Sequence, residues 1–366
     1  MVAGMVAGTP RQGGATWATL QYVLGLREMG WDVALVEPVK EMSRGSRSYF
    51  DHVIDRFGVR DRAALVDVKR EEAYGSSWSD VVASAERSEV LINLSGLLPL
   101  QAGFDRIPVR VYVDLDPAFT QLWASDGIDM RFEGHTHFAT VGLNIGADSC
   151  TIPQCERSWI TTLPPISLKR WTPTPAPRKG PLTTVANWRS YGSLFVDGVH
   201  YGQKVHSFRR FASLPALTKE RVRPVLAIDR NELIDIAWLD EREWSVVHPA
   251  ATATPDHYQW FIKNSKAELG IAKDGYVVAR SGWVSDRSSC YLASGRPVLA
   301  QSTGIEQWIP TGDGLLTFSN LDDLLTAIDD MNDRYGAHVR AARELAEDLF
   351  AADIVLGSLL DRVGVG

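Results

Sequence analysis

Ser285-Asp-Arg-Ser-Ser-Cys-Tyr-Leu-Ala-Ser-Gly-Arg-Pro-Val-Leu-Ala300 reads as a helix followed by a strand. Ser285 stands where a serine oxygen caps a helix, accepting from an N–H of the first turn, and the helix is expected over Ser285–Ala293. Pro297–Ala300 has the short apolar character of a strand buried on both faces. Working outward, the same alternation holds in both directions. Strands are expected at Leu182–Trp188, Val222–Ile228, Trp244–His248 and Ala267–Ala272, with helices near Gly202–Ser213 and over Pro255–Asn264. Helices follow at Asn320–Met331, Ala337–Ala352 and Val355–Val363. A strand–helix alternation with near-continuous apolar strands predicts a doubly wound parallel sheet.

The first half repeats the pattern. Val2–Ala7 reads as a strand, Ala15–Met29 as a helix with one apolar stripe closed by Gly30, and Asp32–Glu37 as the next strand. A helix over Arg47–Phe57 and strands at Val90–Leu94, Val109–Val113 and Phe138–Val141 complete it. Between the halves, residues 169–181 hold four prolines and a glycine in thirteen positions, which reads as a linker. The expected fold is α/β, two Rossmann-like doubly wound domains with a cleft between them. Residues 1–168 form the first domain, 169–181 the linker, 182–337 the second domain and 338–366 closing helices. In such sheets ligands lie beyond the carboxyl ends of the strands.

Composition agrees and excludes several classes. At 366 residues the chain suits two domains. Apolar residues make up 45% and charged residues 23%, the globular norm, so wholesale disorder is excluded. The net charge is −7 and no basic tract dominates, so nucleic acid is not expected as a partner. Three cysteines cannot build a disulfide framework, and a reducing compartment follows. Met1–Gly8 lacks the charged lead of a signal peptide, and no apolar stretch is long enough to span a membrane, so a cytoplasmic location is expected. The oligomeric state is not encoded in any readable feature. Twelve tryptophans raise the question of flat ligands. Trp188 and Trp283 are the candidates for stacking, against a plain packing role.

Tyr291–Ala300, together with Gly304-Ile-Glu306, Gly312-Asp-Gly314 and Asn320-Leu-Asp-Asp-Leu-Leu325, resembles the C-terminal domain of GT-B glycosyltransferases. The resemblance is closest to bacterial family-4-like enzymes and the spore-maturation CgeB-like group, and it covers roughly residues 182–363. It implies metal-independent transfer of a sugar from a nucleotide-diphosphate donor (a UDP-, dTDP- or GDP-sugar) to a hydroxyl or amine of a small-molecule or glycan acceptor, with no cofactor besides that co-substrate. It also implies that the closing helices pack back toward the first domain. The family pattern sets an arginine and a lysine on the diphosphate at the places held here by Arg189 and Lys204. The bland alternative is two surface cations. His248 ends a strand where the family cradles the nucleobase. The family's spaced pair of glutamates falls by register on Gly282 and Cys290, neither of which binds a ribose diol as a carboxylate does, so the family's retaining stereochemistry is not carried over.

Several constellations stand beside that resemblance. Ser285, Arg287, Ser288 and Ser289 would offer amides, hydroxyls and a guanidinium to an anion at a helix start, led in by Gly282 and Trp283. Arg11, Gly13, Gly14 and Thr16 lie between the first strand and helix. They are read equally as a cleft loop and as a tight turn, and no G-x-G-x-x-G is present. An inverting enzyme needs a base within reach of the acceptor hydroxyl. Asp116 and His137 are the candidates, with Asp114 two residues from Asp116 on the same strand face. His135 and His137 form an H-x-H without a third ligand, so no metal site is expected. Two other readings remain at this point: a sugar-nucleotide epimerase on the same fold, and a non-catalytic nucleotide-binding protein.

Overall fold

The central strands, such as Ala63–Asp67, Val90–Leu94 and Ala267–Gly270, are short runs buried on both faces, as parallel strands require. The structure, a computed structural model, describes residues 1–148 and 150–366. The first sheet contains β1 (Val2–Ala3), β2 (Leu35–Pro38), β3 (Ala63–Asp67), β4 (Glu72–Tyr74), β5 (Val90–Leu94), β6 (Val109–Asp114), β7 (His137–Thr140) and β8 (Trp159–Thr161). Their spatial order is β4-β3-β2-β1-β5-β6-β7-β8, and every pairing is parallel except β3 with β4. Helices α1 (Gly13–Glu28), α2 (Arg44–Phe57), α3 (Trp78–Glu86) and α4 (Phe119–Ser125) belong to this lobe.

The second sheet begins with β9 (Leu182–Asn187). A hairpin of β10 (Leu194–Val196) and β11 (Val199–Tyr201) stands outside it, and β12 (Val222–Ala227), β13 (Ala267–Gly270), β14 (Val298–Gln301) and β15 (Leu315–Phe318) continue it. The order is β12-β9-β13-β14-β15, all parallel. Its helices are α5 (Lys204–Arg210), α6 (Leu214–Leu217), α7 (Leu233–Asp240), α8 (Pro255–Lys263), α9 (Asp274–Val278), α10 (Asp286–Ala293) and α11 (Leu321–Asp333). Leu182, Trp188, Phe208, Leu299 and Phe318 sit in its core.

In both sheets the first strand occupies the place where the strand order reverses. β1 lies between β2 and β5, and β9 lies between β12 and β13. Ligand crevices form at such reversals, beyond the carboxyl ends. Thus the loop after β1 and the loop after β9 are the two places where each lobe opens.

The chain then returns to the first lobe through α12 (Tyr335–Leu345), a π-helical turn at Ala346–Phe350 and α13 (Ala352–Arg362). The Ile166 amide donates to Phe350 O at 2.8 Å, and the Ala352 amide donates to Ile166 O at 2.9 Å. Helix α13 packs on α1, and Gly25 makes this approach feasible: a Cβ there would lie 2.6 Å from Ala352 Cβ. Residues 169–181 form no strand or helix. They are strapped to the second lobe by Arg296, which is fully buried and whose guanidinium donates to Thr174 O at 3.1 Å and Thr174 Oγ1 at 2.7 Å.

Three features depart from the expected elements. Trp244–His248 forms a single bridge, Val247 to Val225, instead of a strand, because Ser245 and Val246 face solvent with nothing beside them to pair with. The strand expected at Val2–Ala7 stops at Ala3. The short strands β3, β4, β8, β10, β11 and β15 and the helices α3, α4, α6, α7 and α9 lie outside the sequence expectation. Among the described residues, no helix is long and apolar enough to cross a membrane.

Candidate functional site

The two reversal points face each other across one cavity of about 480 Å³, within the size range of small-ligand sites. From the first lobe come Pro10–Gln12 and the first residues of α1, Gly13 to Ala15. From the second lobe come the end of β9, the start of α5, the turn Pro249–Thr252, the residues after β13 and the start of α10.

Lys204 is the anomalous member. It opens α5 and is only 6% exposed, yet no carboxylate oxygen lies within ion-pair distance among the described residues. Its Nζ donates to Ile271 O. Burial pushes its pKa well below the usual lysine value, and the charges of Arg287 and Lys273 push the same way. Arg11 reaches the cavity from the opposite wall, with no ion-pair partner among the described residues. Its φ of +67° kinks the loop just before α1.

Two further cations line the cavity but are already balanced. Arg287 donates to Glu268 Oε1 at 2.6 Å and to Val185 O at 2.8 Å. Burial works against its charge, but the wholly buried Glu268 prevails and holds its pKa above the usual arginine value. Lys273 donates to both oxygens of Asp116 at 3.1 Å and sits 4.3 Å from the centre of the Tyr191 ring. Asp116 also accepts from the hydroxyls of Tyr191 and Tyr276, so this cluster ties the first lobe to the second beside the cavity. Tyr276 in turn stacks on Trp283 at 4.5 Å, and both rings line the cavity.

The structure thus brings Arg11, Gly13, Gly14, Lys204, Trp283, Ser285 and Arg287 together from the sequence candidates. Ser285 caps α10 as expected, its Oγ accepting from the Arg287 amide at 3.2 Å. Gly13 and Gly14 serve lobe contact in addition to lining. A Cβ on Gly13 would lie 2.4 Å from Thr254 O, and one on Gly14 would lie 2.9 Å from the Tyr258 ring.

Other candidates lie elsewhere. Arg189 is held outside the cavity lining by Glu232 at 2.8 Å and Asp235 at 2.7 Å. Trp188 is fully buried against Phe208 and donates to Asp235, so it is a core indole. Thr16 is buried, within 3.0 Å of the Tyr49 hydroxyl and bonded to Val6 O. Ser288 and Ser289 turn into the body of α10, where the Ser289 hydroxyl donates to Asp286 O. His248 points to solvent, its Nδ1 accepting from the Ala250 amide, while its neighbours Pro249 and Thr252 line the cavity. Gly282 belongs to a crossing between the lobes. Its φ is +68°, its carbonyl accepts from the Leu143 amide, and a Cβ would lie 2.7 Å from Asn144 N. Cys290 is buried, with its sulfur 3.9 Å from Gln21 Nε2.

The three base candidates fare differently. Asp114 is fully buried and accepts from Thr120, Gln121, Thr140 and the Asp116 amide, so it fastens the loop after β6 and meets no substrate. Burial raises its pKa. His137 opens β7, whereas the cavity faces the other, carboxyl end of the strands. Its Nδ1 lies 2.9 Å from Thr136 Oγ1. His135 packs near it against the Asn93 amide, and burial lowers its pKa to about 4. Asp116 lies next to the cavity but is occupied by Lys273 and two tyrosines. A carboxylate absent from the sequence candidates is present instead: Asp286, in the first turn of α10, is the one acidic residue lining the cavity among the described residues. Its position inside the capped segment Ser285–Ser289 was visible in the sequence, but an acidic first-turn residue is common enough to carry no signal. Among the described residues, no group of three or more His, Cys, Asp or Glu is placed to hold a metal ion.

No protein-family model and no curated protein matches the chain. Solved structures do align over nearly its whole length. An α-glucosyltransferase in complex with UDP-glucose and DNA containing an abasic site aligns with a TM-score of 0.63 at 10% identity, over 99% of this chain and 98% of that one. HepE from Anabaena in complex with UDP and glucose aligns at 0.59 and 9% identity, over 99% and 98%. Sucrose-phosphate synthase from Thermosynechococcus elongatus aligns at 0.55 and 10% identity, with the same coverage. The architecture, two Rossmann-like lobes flanking a cleft, is the GT-B fold. These alignments also correct one expectation. The acidic charge balance is read from sequence as excluding nucleic acid, yet a chain of this fold is solved on DNA. Net charge is a sum over the whole surface, whereas a binding groove depends on local potential, so the exclusion does not stand.

Proposed function

We propose that this GT-B chain is a nucleotide-sugar-dependent glycosyltransferase whose cleft takes the donor diphosphate on Lys204 and Arg11. One observation carries the reading: among the described residues, a buried lysine has no carboxylate partner and faces a cavity that a second cation without an ion-pair partner enters from the other lobe. A desolvated ammonium is costly unless an anion completes it, and a diphosphate is that anion. Trp283, Tyr276, Pro249 and Thr252 supply the apolar and small surfaces that a nucleoside needs. Because side-chain cations stand where charge develops on the leaving diphosphate, transfer is proposed to proceed without a metal. Fold neighbours solved with UDP or UDP-glucose support a uridine donor.

The test is thermal denaturation with UDP, dTDP, GDP and their hexoses, followed by assay of sugar consumption. A ligand bound only by the native state raises the melting temperature, by about 2.7 kcal/mol of stabilisation at a hundredfold excess over Kd. A UDP-dependent rise with release of UDP from UDP-hexose is expected. No response to any nucleotide would overturn the reading. Binding with no sugar consumed would favour a non-catalytic module, and interconversion of the intact donor would favour an epimerase.

A further inference from the structure

A proton must leave the acceptor as it attacks, and the carboxylates around the cleft can be sorted by whether their lone pairs are free. Asp114 accepts four hydrogen bonds in a fully buried site. Asp116 is shared among Lys273, Tyr191 and Tyr276. Glu37, at the end of β2, accepts from the Ala7 amide at 2.7 Å and from the Gly8 amide. Glu268 is wholly buried under Arg287. Asp286 differs from all of these. Its carboxylate makes no ion pair and no hydrogen bond to another side chain among the described residues, its donors being the amides of Arg287 and of its own residue, and it lines the cavity at a helix start opposite the first turn of α1.

We propose that Asp286 is the proton acceptor of the transfer reaction. The proposal rests on the transferase reading above and supplies the group that reading lacks. In the step, the acceptor oxygen forms a bond to the anomeric carbon of the donor, and its proton passes to the Asp286 carboxylate. The bond from that carbon to the diphosphate oxygen breaks. The electron pair leaves with the nucleoside diphosphate, whose charge falls on Lys204 and Arg11. Asp286 returns the proton to solvent after product release.

The surroundings suit the role. Arg287 on its own helix favours the ionised form. Glu268 on β13 opposes it, and the hydroxyls of Tyr22 on α1 and Tyr258 on α8 and the Cys290 thiol lie near. Burial, the largest influence, lifts the pKa above the ordinary aspartate value, and a raised pKa makes a carboxylate the stronger proton acceptor.

The test compares wild type, Asp286→Asn and Asp286→Glu. UDP-dependent thermal shift is measured alongside UDP release from UDP-hexose with water as the acceptor, across a pH series. The asparagine variant is expected to keep its ligand-free melting temperature and its UDP shift. It should lose about 10²–10⁴-fold in kcat and lack the acidic limb of the wild-type profile. The glutamate variant should recover part of the rate. If the asparagine variant keeps its rate within tenfold, or loses the UDP shift together with the rate, Asp286 is not the base. If wild type neither shifts with a nucleotide nor releases one, the transferase reading itself fails, and this proposal with it.

Discussion

Replacing Lys204 with methionine separates the cost of the buried cation from its use. The side chain is 6% exposed and, among the described residues, its one acceptor is the Ile271 carbonyl. Desolvating an ammonium costs several kcal/mol even after relaxation, and a charge-assisted hydrogen bond returns about 1.5–3 kcal/mol. Methionine matches the length of the stem and removes the first term. It forfeits the second and leaves one carbonyl unpaired at about 1–3 kcal/mol. With the desolvation cost taken as about 5 kcal/mol, the balance runs from about 1 kcal/mol against the variant to about 2.5 kcal/mol in its favour. At roughly 0.8 kcal/mol per degree for a chain of this length, the melting temperature should change by between about −1 and about +3 °C. UDP, which should raise the wild-type transition, should leave that of the variant unmoved. The pH dependence follows from the same burial. With the folded pKa depressed, the unfolded chain binds the extra proton between that lowered value and the ordinary lysine value of about 10.4. Wild-type stability therefore climbs with pH through that window, and the variant should lose the climb. A variant that melts more than about 3 °C lower, or that still responds to UDP, would refute the argument that the cation is strained when empty and satisfied when the diphosphate is bound.

Two further outcomes test the frame around the site. Burial pushes Glu37 up to about 7, against the opposing hydrogen bonds from the backbone of the loop after β1. A raised folded pKa means that stability is fully present below the unfolded value and is lost as pH rises through about 7. Glu37→Gln should therefore flatten the loss of urea resistance between pH 5 and pH 8, a difference of about 3 kcal/mol, and an unchanged slope would contradict the assignment. Gly25→Val should loosen α13 from α1, because its branches would meet Ala352 and Leu356 where even a Cβ is too close. Overpacking of this kind costs about 1–3 kcal/mol, read as a lower urea midpoint, and an unaltered midpoint would show that the two helices shift freely.

Much of the frame was legible because it depends on local physics. Ser285 caps α10 through its own first turn, and the runs at Val90–Leu94 and Val109–Val113 are strands because they are apolar on both faces. Lys204 was identified by resemblance and lines the cleft. The errors differ in origin. His137 precedes the strand expected at Phe138–Val141, and β7 does begin at His137, so its place at the amino end, away from the ligand crevice, already follows from the strand direction. Arg189 matches the family's phosphate arginine by position, but Glu232 and Asp235, more than forty positions along the chain, hold it, and spacing does not reveal them as its partners.

By itself the sequence determined the alternation of strands and helices, the two halves and the linker, since each follows from side-chain periodicity and backbone preference over a few residues. Only the tertiary structure decided the site. Whether a carboxylate is a fastener or a base depends on which donors the fold brings to it: Asp114 meets three side chains and an amide, Asp116 meets three side chains, and Asp286 meets no side-chain donor among the described residues, only amides of its own helix turn. Whether a glycine frees a loop or admits a neighbour depends on the other lobe, as Gly13 and Gly282 show. The contacts of Asp116 with Lys273 and Tyr276, of Gly13 with Thr254 and of Gly282 with Asn144 join residues more than a hundred positions apart, and burial, which sets the cost of every unpaired charge, exists only once both lobes have closed around the cleft.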